Sequence, residues 1–200
     1  MLGKLFECDA DKNKIYYRVI QTESKYRDGK SFPIDEIVIS DKKINLDATE
    51  NMEMGGFCVT TYTYAFRWLI RGDTLCEVII PQDSEFYKTT SENGIYVCNK
   101  MILTNPKKID DDFAMELYKV STLNENSYFI AMTACAICGY INTAIKVFED
   151  KVNIQNVDRA ISEFENFCKR REEEKYVKTP LEIENVKTLY GKLKGIKSLK

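Results

Sequence analysis

Apolar and β-branched residues in the first half of the chain occur in short runs, separated by polar or glycine-containing segments. Runs of this length that are rich in Val, Ile, Tyr and Phe are typical of β-strands. The pattern predicts strands at 14–20, 36–40, 57–61, 75–80, 86–88, 96–98 and 100–103. Pro81 should end the strand at 75–80, and Asn105-Pro106 the strand at 100–103, because proline lacks the N–H that a sheet needs.

The apolar spacing changes from strand-like to helical over residues 62–71. One helical stripe of this segment contains Tyr64, Ala65, Trp68 and Leu69. Thr61 or Thr63 is the predicted N-cap, since a hydroxyl there can accept from the first free backbone N–H groups. Gly72 is predicted to end the helix in the left-handed conformation.

Helical spacing then continues from Asp110 to the end of the chain. The carboxylates at 110–112 should begin the first helix, because the helix dipole favours negative charge at its N-terminus. Ser127 and Asn142 are candidate caps of the second and third helices, and Gly139 separates these two helices. Pro180 should begin the last one.

These patterns together predict an α+β protein. Residues 1–108 should form an α+β module with a mixed sheet and one helix, and residues 109–200 a helical module with a basic C-terminal tail. Because the connections are short, we expect the two modules to pack against each other.

Composition excludes several classes of chemistry. The 200 residues include no histidine, so Ser-His-Asp and Cys-His triads and His-containing zinc sites are excluded. The seven cysteines lie mostly in apolar segments without a preceding signal peptide, which predicts buried thiols in a reducing, cytoplasmic compartment. No apolar run reaches transmembrane length, so no membrane partner is expected.

Charge is distributed unevenly, with a slight excess of acids in the first 120 residues and of bases afterwards. The last 14 residues carry five lysines and no acid. Lys192, Lys194, Lys197 and Lys200 are therefore candidate contacts to nucleic acid. The alternative is a solvated, fraying terminus.

The stretch 55–103 resembles the region ahead of the ankyrin repeats in giant DNA virus (mimivirus-like) proteins. The resemblance is carried by Gly56-Phe57-Cys58-Val59-Thr60-Thr61, a helix ending in Trp68-Leu69-Ile70-Arg71-Gly72, a strand closing at Pro81, and Asn99-Lys100-Met101-Ile102-Leu103. It implies a viral interaction or scaffold protein with a protein partner, acting in the host cytoplasm or in the virion. Residues 131–148 are also similar to the helix-turn-helix unit of ankyrin and tetratricopeptide repeats, which leaves a helical hairpin or a degenerate repeat open.

The order of elements in 14–103 is similar to the ADP-ribosyltransferase fold. The resemblance implies that Arg18 holds a pyrophosphate of NAD and that Thr60 and Thr61 orient it. It also requires a glutamate on a later strand, where this chain has 97–100 as Val-Cys-Asn-Lys. The candidate ligand-binding residues are Tyr17, Arg18, Thr60, Thr61, Glu77 and Asn99.

Three further patterns have a structural explanation beside a functional one. Cys135 and Cys138 form a CxxC pair, which in an apolar helix predicts two buried thiols rather than a metal or redox pair. The acids at 110–112 predict helix capping rather than a cation site. Aromatic residues alternate along the predicted helix, which indicates either an exposed interaction patch or burial on both sides; they are Tyr62, Tyr64, Phe66 and Trp68.

The sequence thus favours an interaction protein without cofactor or metal. The alternatives are an NAD-binding, ADP-ribosyltransferase-like protein, active or inactive, and a nucleic-acid-binding protein that uses the lysine tail.

Overall fold

A computed structural model describes residues 5–22, 32–50, 53–91, 94–174 and 179–199. It confirms the α+β class: one eight-stranded antiparallel sheet is combined with six α-helices. The strands are β1 Phe6–Asp9, β2 Tyr16–Ile20, β3 Ile37–Ile39, β4 Phe57–Thr60, β5 Thr74–Ile79, β6 Phe86–Thr89, β7 Ile95–Cys98 and β8 Lys100–Lys108.

The strand order is β1-β6-β7-β4-β2-β5-β8-β3, and every pair of these strands is antiparallel. In the part of the chain that the structure describes, the single parallel contact is an isolated bridge between Ile34 and Leu103. The predicted mixed sheet is therefore wrong in this detail. β6 and β7, for example, are consecutive strands joined by a short hairpin, a connection that only an antiparallel pair allows.

Two strands differ from the prediction in extent. β1 was not predicted, because its Phe-Glu-Cys-Asp sequence is half polar. β8 continues through Asn105 and Pro106 to Lys108 instead of ending before them. The register with β5 shifts at this point, and Asn105 has φ 48°, so a bulge accommodates the proline without loss of the strand.

The first helical segment consists of α1 Tyr62–Ala65, which continues directly into a 3-10 helix, Phe66–Arg71. Thr61 is its N-cap residue but makes no side-chain capping bond. Gly72 ends the segment with φ 170°, which is extended and not the predicted left-handed conformation. Glycine is required there because a Cβ would lie 1.9 Å from the Ile20 carbonyl oxygen.

The remaining helices lie in the second half, as predicted. They are α2 Asp111–Val120, α3 Glu125–Cys138, α4 Ile141–Lys151, α5 Val157–Glu173 and α6 Glu184–Lys197, with a 3-10 helix Pro180–Glu182 before α6. Asp110 caps α2 by accepting from the Phe113 N–H, which confirms the capping role of the acids. Gly139 ends α3 with φ 93°.

Two predicted caps are replaced by other residues. Asn124, not Ser127, caps α3, since its side chain accepts from the Ser127 N–H. α4 begins at Ile141, so Asn142 lies inside its first turn. The Asp111 carboxylate from α2 accepts from the N–H groups of Asn142 and Thr143, each at 2.9 Å, and so caps α4 across the helix pair.

The sheet has two apolar faces. On one face, Val19 and Leu75 share a core with Phe113, Phe129 and the other helical residues, so the halves on either side of residue 108 pack around one cluster. On the opposite face the sheet curls over a second cluster. There the ring of Tyr16 on β2 lies 4.8 Å from that of Phe86 on β6, although two strands separate β2 and β6 in the sheet. None of the described helices combines the length and apolarity needed to cross a membrane.

Candidate functional site: a cleft between β2 and β4

The neighbouring strands β2 and β4 diverge within the sheet. They are in register at a single pair, Tyr17 opposite Thr60, while β2 follows β5 over five pairs and β4 follows β7 over four. The divergence opens a cleft of about 350 Å³. Its polar and aromatic lining comes from Tyr17, Arg18, Cys58, Thr60, Trp68 and Arg71.

The structure brings three of the six predicted ligand-binding residues into this cleft: Tyr17, Arg18 and Thr60. Thr60 is buried, and its hydroxyl donates to the Gly94 carbonyl at 2.9 Å, so it also has a structural role. The pKa of Tyr17 is raised by burial, with the nearby charge of Glu77 adding to the effect. Tyr17 is therefore a neutral hydroxyl at physiological pH.

The other three candidates lie outside the cleft lining. Thr61 is the N-cap residue of α1, and its hydroxyl is 3.3 Å from that of Thr63. Glu77 is the cross-strand partner of Tyr17, but its carboxylate accepts from the Asn105 side chain at 2.7 Å. Asn99 bonds to the backbone N–H and the carboxylate of Glu85 at the β6–β7 end.

Arg18 carries positive charge into the cleft wall. Its Nη1 donates to the Cys58 carbonyl oxygen on β4, across the gap between the strands. Its guanidinium also lies 5.2 Å from the ring of Phe32 and 5.7 Å from that of Phe57. Burial raises the pKa of Cys98 to about 12, and the Arg18 charge opposes that rise, which places the cation close to this thiol as well.

Trp68 and Arg71, on the 3-10 helix, form the second half of the cleft. The guanidinium of Arg71 is 5.5 Å from the Trp68 ring, and that of Arg67 is 5.6 Å from it. The Trp68 Nε1–H is buried and has no hydrogen-bond partner among the described residues. Burial, helped by Arg170, lowers the pKa of Arg67 to about 10, so this guanidinium is still charged at neutral pH.

Arg71 and Cys58 were not predicted as ligand-binding residues. Both residues lie within 55–103, the stretch that carries the viral resemblance. That resemblance points to a segment of the chain and does not identify individual binding residues. Gly56 was also missed; it lines the cleft with φ 61°, and a Cβ there would lie 2.8 Å from the Cys98 carbonyl oxygen. Arg71, Cys58 and Gly56 come close to Arg18 because the 3-10 helix and β4 pack beside β2. Local sequence patterns do not predict how distant elements pack.

The predicted aromatic patch does not form a continuous exposed surface. Phe66 is fully buried, 5.4 Å from the ring of Tyr118, so it belongs to the core and is not an interaction residue. Tyr62 packs on Tyr17 at 5.0 Å. Tyr64 contacts Gly94, where a Cβ would lie 2.6 Å from its ring.

The predicted lysine tail is a packed helix and not a fraying end. Val186, Leu189 and Leu193 of α6 are buried in the helical core. Lys194 lies 3.7 Å from the Glu165 carboxylate, and Lys197 lies 3.0 Å from that of Asp158. Lys192 is 6.0 Å from the ring of Phe148, and Lys200 lies outside the described residues.

The CxxC pair lies in the helical core, as predicted. Cys135 is buried and Cys138 is partly buried. Burial raises the pKa of Cys135 well above its ordinary value and that of Cys138 to about 12, so both are protonated thiols at neutral pH. Neither is activated as a nucleophile or a ligand.

Comparison with known proteins returned no match of this chain to a family model, to a curated protein or to a solved structure. A function for this chain therefore has to be inferred from the geometry of the cleft.

Proposed function

We propose that this protein binds a small organic anion with a flat ring in the cleft between β2 and β4. The observation that carries the proposal is the composition of the lining. The lining includes Arg18, Arg71 and Trp68, and no described carboxylate belongs to it. Such a site attracts negative charge and rejects cations.

The Trp68 side chain adds an aromatic surface to the cationic lining. The guanidinium groups of Arg71 and Arg67 lie 5.5 and 5.6 Å from its ring, so a flat ligand ring would share this surface with them. The buried Trp68 Nε1–H has no partner among the described residues, and a buried donor of this kind is normally paired.

The apolar part of the cleft fits the same ligand class. The apolar residues that line it beside the charged groups are Val19, Val59, Met54 and Ile95. Small-molecule sites combine mostly apolar walls with a few polar groups, and their volumes start at roughly 300 Å³. A cleft of about 350 Å³ suits a ligand of mononucleotide size better than a whole dinucleotide.

We propose binding and not group transfer. An ADP-ribosyltransferase-like reaction needs a carboxylate beside the ribose to stabilise an oxocarbenium-like transition state. Glu77, the acid in register with Tyr17, lies outside the lining and accepts from Asn105. NAD is the alternative ligand that the ADP-ribosyltransferase resemblance implies. It is therefore one of the probes in the binding experiment.

Titration calorimetry tests the proposal with four probes: inorganic phosphate, AMP, ADP-ribose and NAD. We expect saturable heat from probes with both a phosphate and a ring, and weaker heat from phosphate alone. Arg18→Gln and Arg71→Gln should each weaken binding by at least about tenfold, the loss of a charge-assisted contact.

Arg159→Gln is the matched control, because Arg159 pairs with Glu125 away from the cleft and does not line it. The proposal fails if no probe gives heat, or if the control weakens binding as much as the cleft variants do. If the protein released nicotinamide from NAD, the proposed binding function would be wrong and the transferase function would take its place.

The role as an interaction or scaffold protein in the host cytoplasm or in the virion, implied by the viral resemblance, stays a prediction. Nucleic-acid binding through α6 also stays a prediction. The positive charge that α6 offers to nucleic acid is reduced, because Lys194 and Lys197 already have acidic neighbours.

A further inference from the structure

Three arginines on the helical segments lack an ionic partner. Arg67, Arg71 and Arg170 make neither an ion pair nor a hydrogen bond within the part of the chain that the structure describes. Arg159 and Arg171, by contrast, each pair with a glutamate. A guanidinium group presents several N–H donors in one plane, and these match the oxygens of a carboxylate or a phosphate. The three arginines therefore retain donors for an anion from outside the chain.

These arginines are neighbours in space. The guanidinium groups of Arg71 and Arg67 lie 5.5 and 5.6 Å from the centre of the same Trp68 ring. Arg170, on α5, is close enough to Arg67 for its charge to lower the pKa of Arg67. Arg71 lines the cleft, whereas Arg67 and Arg170 lie outside the lining. We call these three residues the arginine row; it begins in the cleft and leads out of it.

Arg67, in the middle of the arginine row, is a partly desolvated cation. Its Nε is buried and has no hydrogen-bond partner among the described residues, although the side chain as a whole is partly exposed. Burial and the charge of Arg170 lower its pKa to about 10, and Glu163 opposes this with a smaller effect. Arg67 therefore stays charged at neutral pH where positive charge outweighs negative. An anion that accepts from such a group stabilises it.

We propose that the arginine row is a subsite for the further phosphates of a nucleoside polyphosphate whose ring and first phosphate lie in the cleft. The inference rests on the proposed function of the cleft. A phosphate chain fits because guanidinium groups bind phosphate oxygens bidentately, and because Arg71 and Trp68 join the row to the cleft. A cleft of about 350 Å³ suits a mononucleotide, so additional phosphates have to lie outside it, as Arg67 and Arg170 do.

Titration calorimetry with AMP, ADP and ATP tests this subsite, in magnesium-free buffer of constant ionic strength so that screening is the same for each probe. The wild type should bind ADP and ATP at least about tenfold more tightly than AMP, as one additional charge-assisted contact provides. Arg67→Gln and Arg170→Gln should each reduce this affinity ratio towards one. Because the ratio is measured within each variant, a smaller folded fraction cannot imitate its loss.

Lys169→Gln is the matched control. Lys169 precedes Arg170 on α5, but it lies 3.7 Å from Glu173 and lines a separate depression together with Thr179 and Pro180. This variant removes the same charge as Arg170→Gln and should keep the wild-type ratio. A control ratio as low as that of the arginine variants would reduce the effect to overall charge and overturn the inference.

The outcomes separate this inference from the proposed function. If AMP binds but ADP and ATP bind no more tightly, or if the ratio survives in both arginine variants, the subsite is wrong and the cleft function stands. If none of the three nucleotides binds, both are wrong. Tripolyphosphate alone is the last probe. Binding of tripolyphosphate as tight as that of ATP would also overturn the inference, because a ring in the cleft would then contribute nothing.

Discussion

Arg18 on β2 donates through Nη1 to the carbonyl oxygen of Cys58 on β4. The bond spans the gap where the two strands have ceased to pair, so the same guanidinium links the cleft walls and places positive charge in the cleft. Cys58 is exposed, and its side chain lines that cleft. This thiol can therefore report on whether a ligand occupies the site.

We predict that a bound anion protects Cys58 from alkylation. A ligand beside Arg18 covers the thiol, so the rate of iodoacetamide labelling at Cys58 should fall at least severalfold at saturation. Peptide mass spectrometry measures each cysteine separately. The buried Cys76 serves as the internal control and should stay unlabelled with and without ligand. Equal labelling of Cys58 in both conditions would count against occupancy of the cleft.

A second prediction concerns the cap that joins α2 to α4. The Asp111 carboxylate accepts from the Asn142 and Thr143 N–H groups, and from the Thr143 hydroxyl at 2.6 Å. Asp111→Ala should lower the free energy of unfolding by about 1–2 kcal/mol in urea denaturation, the usual cost of losing a cap. The exposed neighbour Asp112 is the control, and Asp112→Ala should change it by less than about 0.5 kcal/mol. Equal effects of the two variants would contradict this assignment.

Gly72 provides a third prediction. A Cβ there would lie 1.9 Å from the Ile20 carbonyl oxygen, so Gly72→Ala should destabilise the fold by about 1–3 kcal/mol. Gly191 on α6 has no atom within 4 Å of such a Cβ, and Gly191→Ala should stabilise by about 0.5–1 kcal/mol through helix propensity. Thermal unfolding of both variants checks the opposite signs. Stabilisation by Gly72→Ala would show that the strand and the 3-10 helix do not approach so closely.

The buried thiols lead to a fourth prediction, on alkaline stability. Burial raises the pKa of Cys98 and of Cys168 from 9.0 to about 12. Between these values the folded state keeps the proton and the unfolded chain loses it, so stability is full below pH 9 and falls as pH rises. Each thiol should contribute a slope of about 1.4 kcal/mol per pH unit in that window.

Urea denaturation of the reduced protein at several pH values above 9 measures this slope. Cys98→Ala should lower stability at neutral pH but make its alkaline decline shallower, because one titrating group is gone. Cys168→Ala should behave in the same way. A decline as steep as that of the wild type in both variants would mean that other groups control alkaline unfolding.

Local patterns predicted the helices after residue 108 well, because each one carries its own apolar spacing, although two of their caps were assigned to the wrong residues. α5 follows steps of three and four residues, and Gly139 ends α3 where its sequence position indicated. β8 was cut short, because the rule that proline ends a strand holds only where no bulge removes the need for its N–H. The left-handed conformation predicted for Gly72 was wrong. A glycine is required at this position because the backbone of Ile20 lies too close for a Cβ, and not because of the helix end.

The cleft was predictable in part. A resemblance indicated Arg18 and Thr60, and the structure places both in one lining. Arg71 and the capping role of Asp111 towards Thr143 could not be foreseen, because both depend on elements that meet only in the folded chain. A sequence pattern specifies which face of an element is apolar, but not which distant polar group it will meet.

The most direct test of the proposed site uses Trp68, the single tryptophan of the chain, which lines the cleft beside Arg71. Its fluorescence therefore reports on this cleft alone. Titration with AMP should change that fluorescence saturably, with the same dissociation constant as calorimetry, and Arg71→Gln should shift the midpoint at least about tenfold higher. Fluorescence that stays constant while calorimetry reports binding would place the ligand elsewhere and contradict the cleft as the functional site.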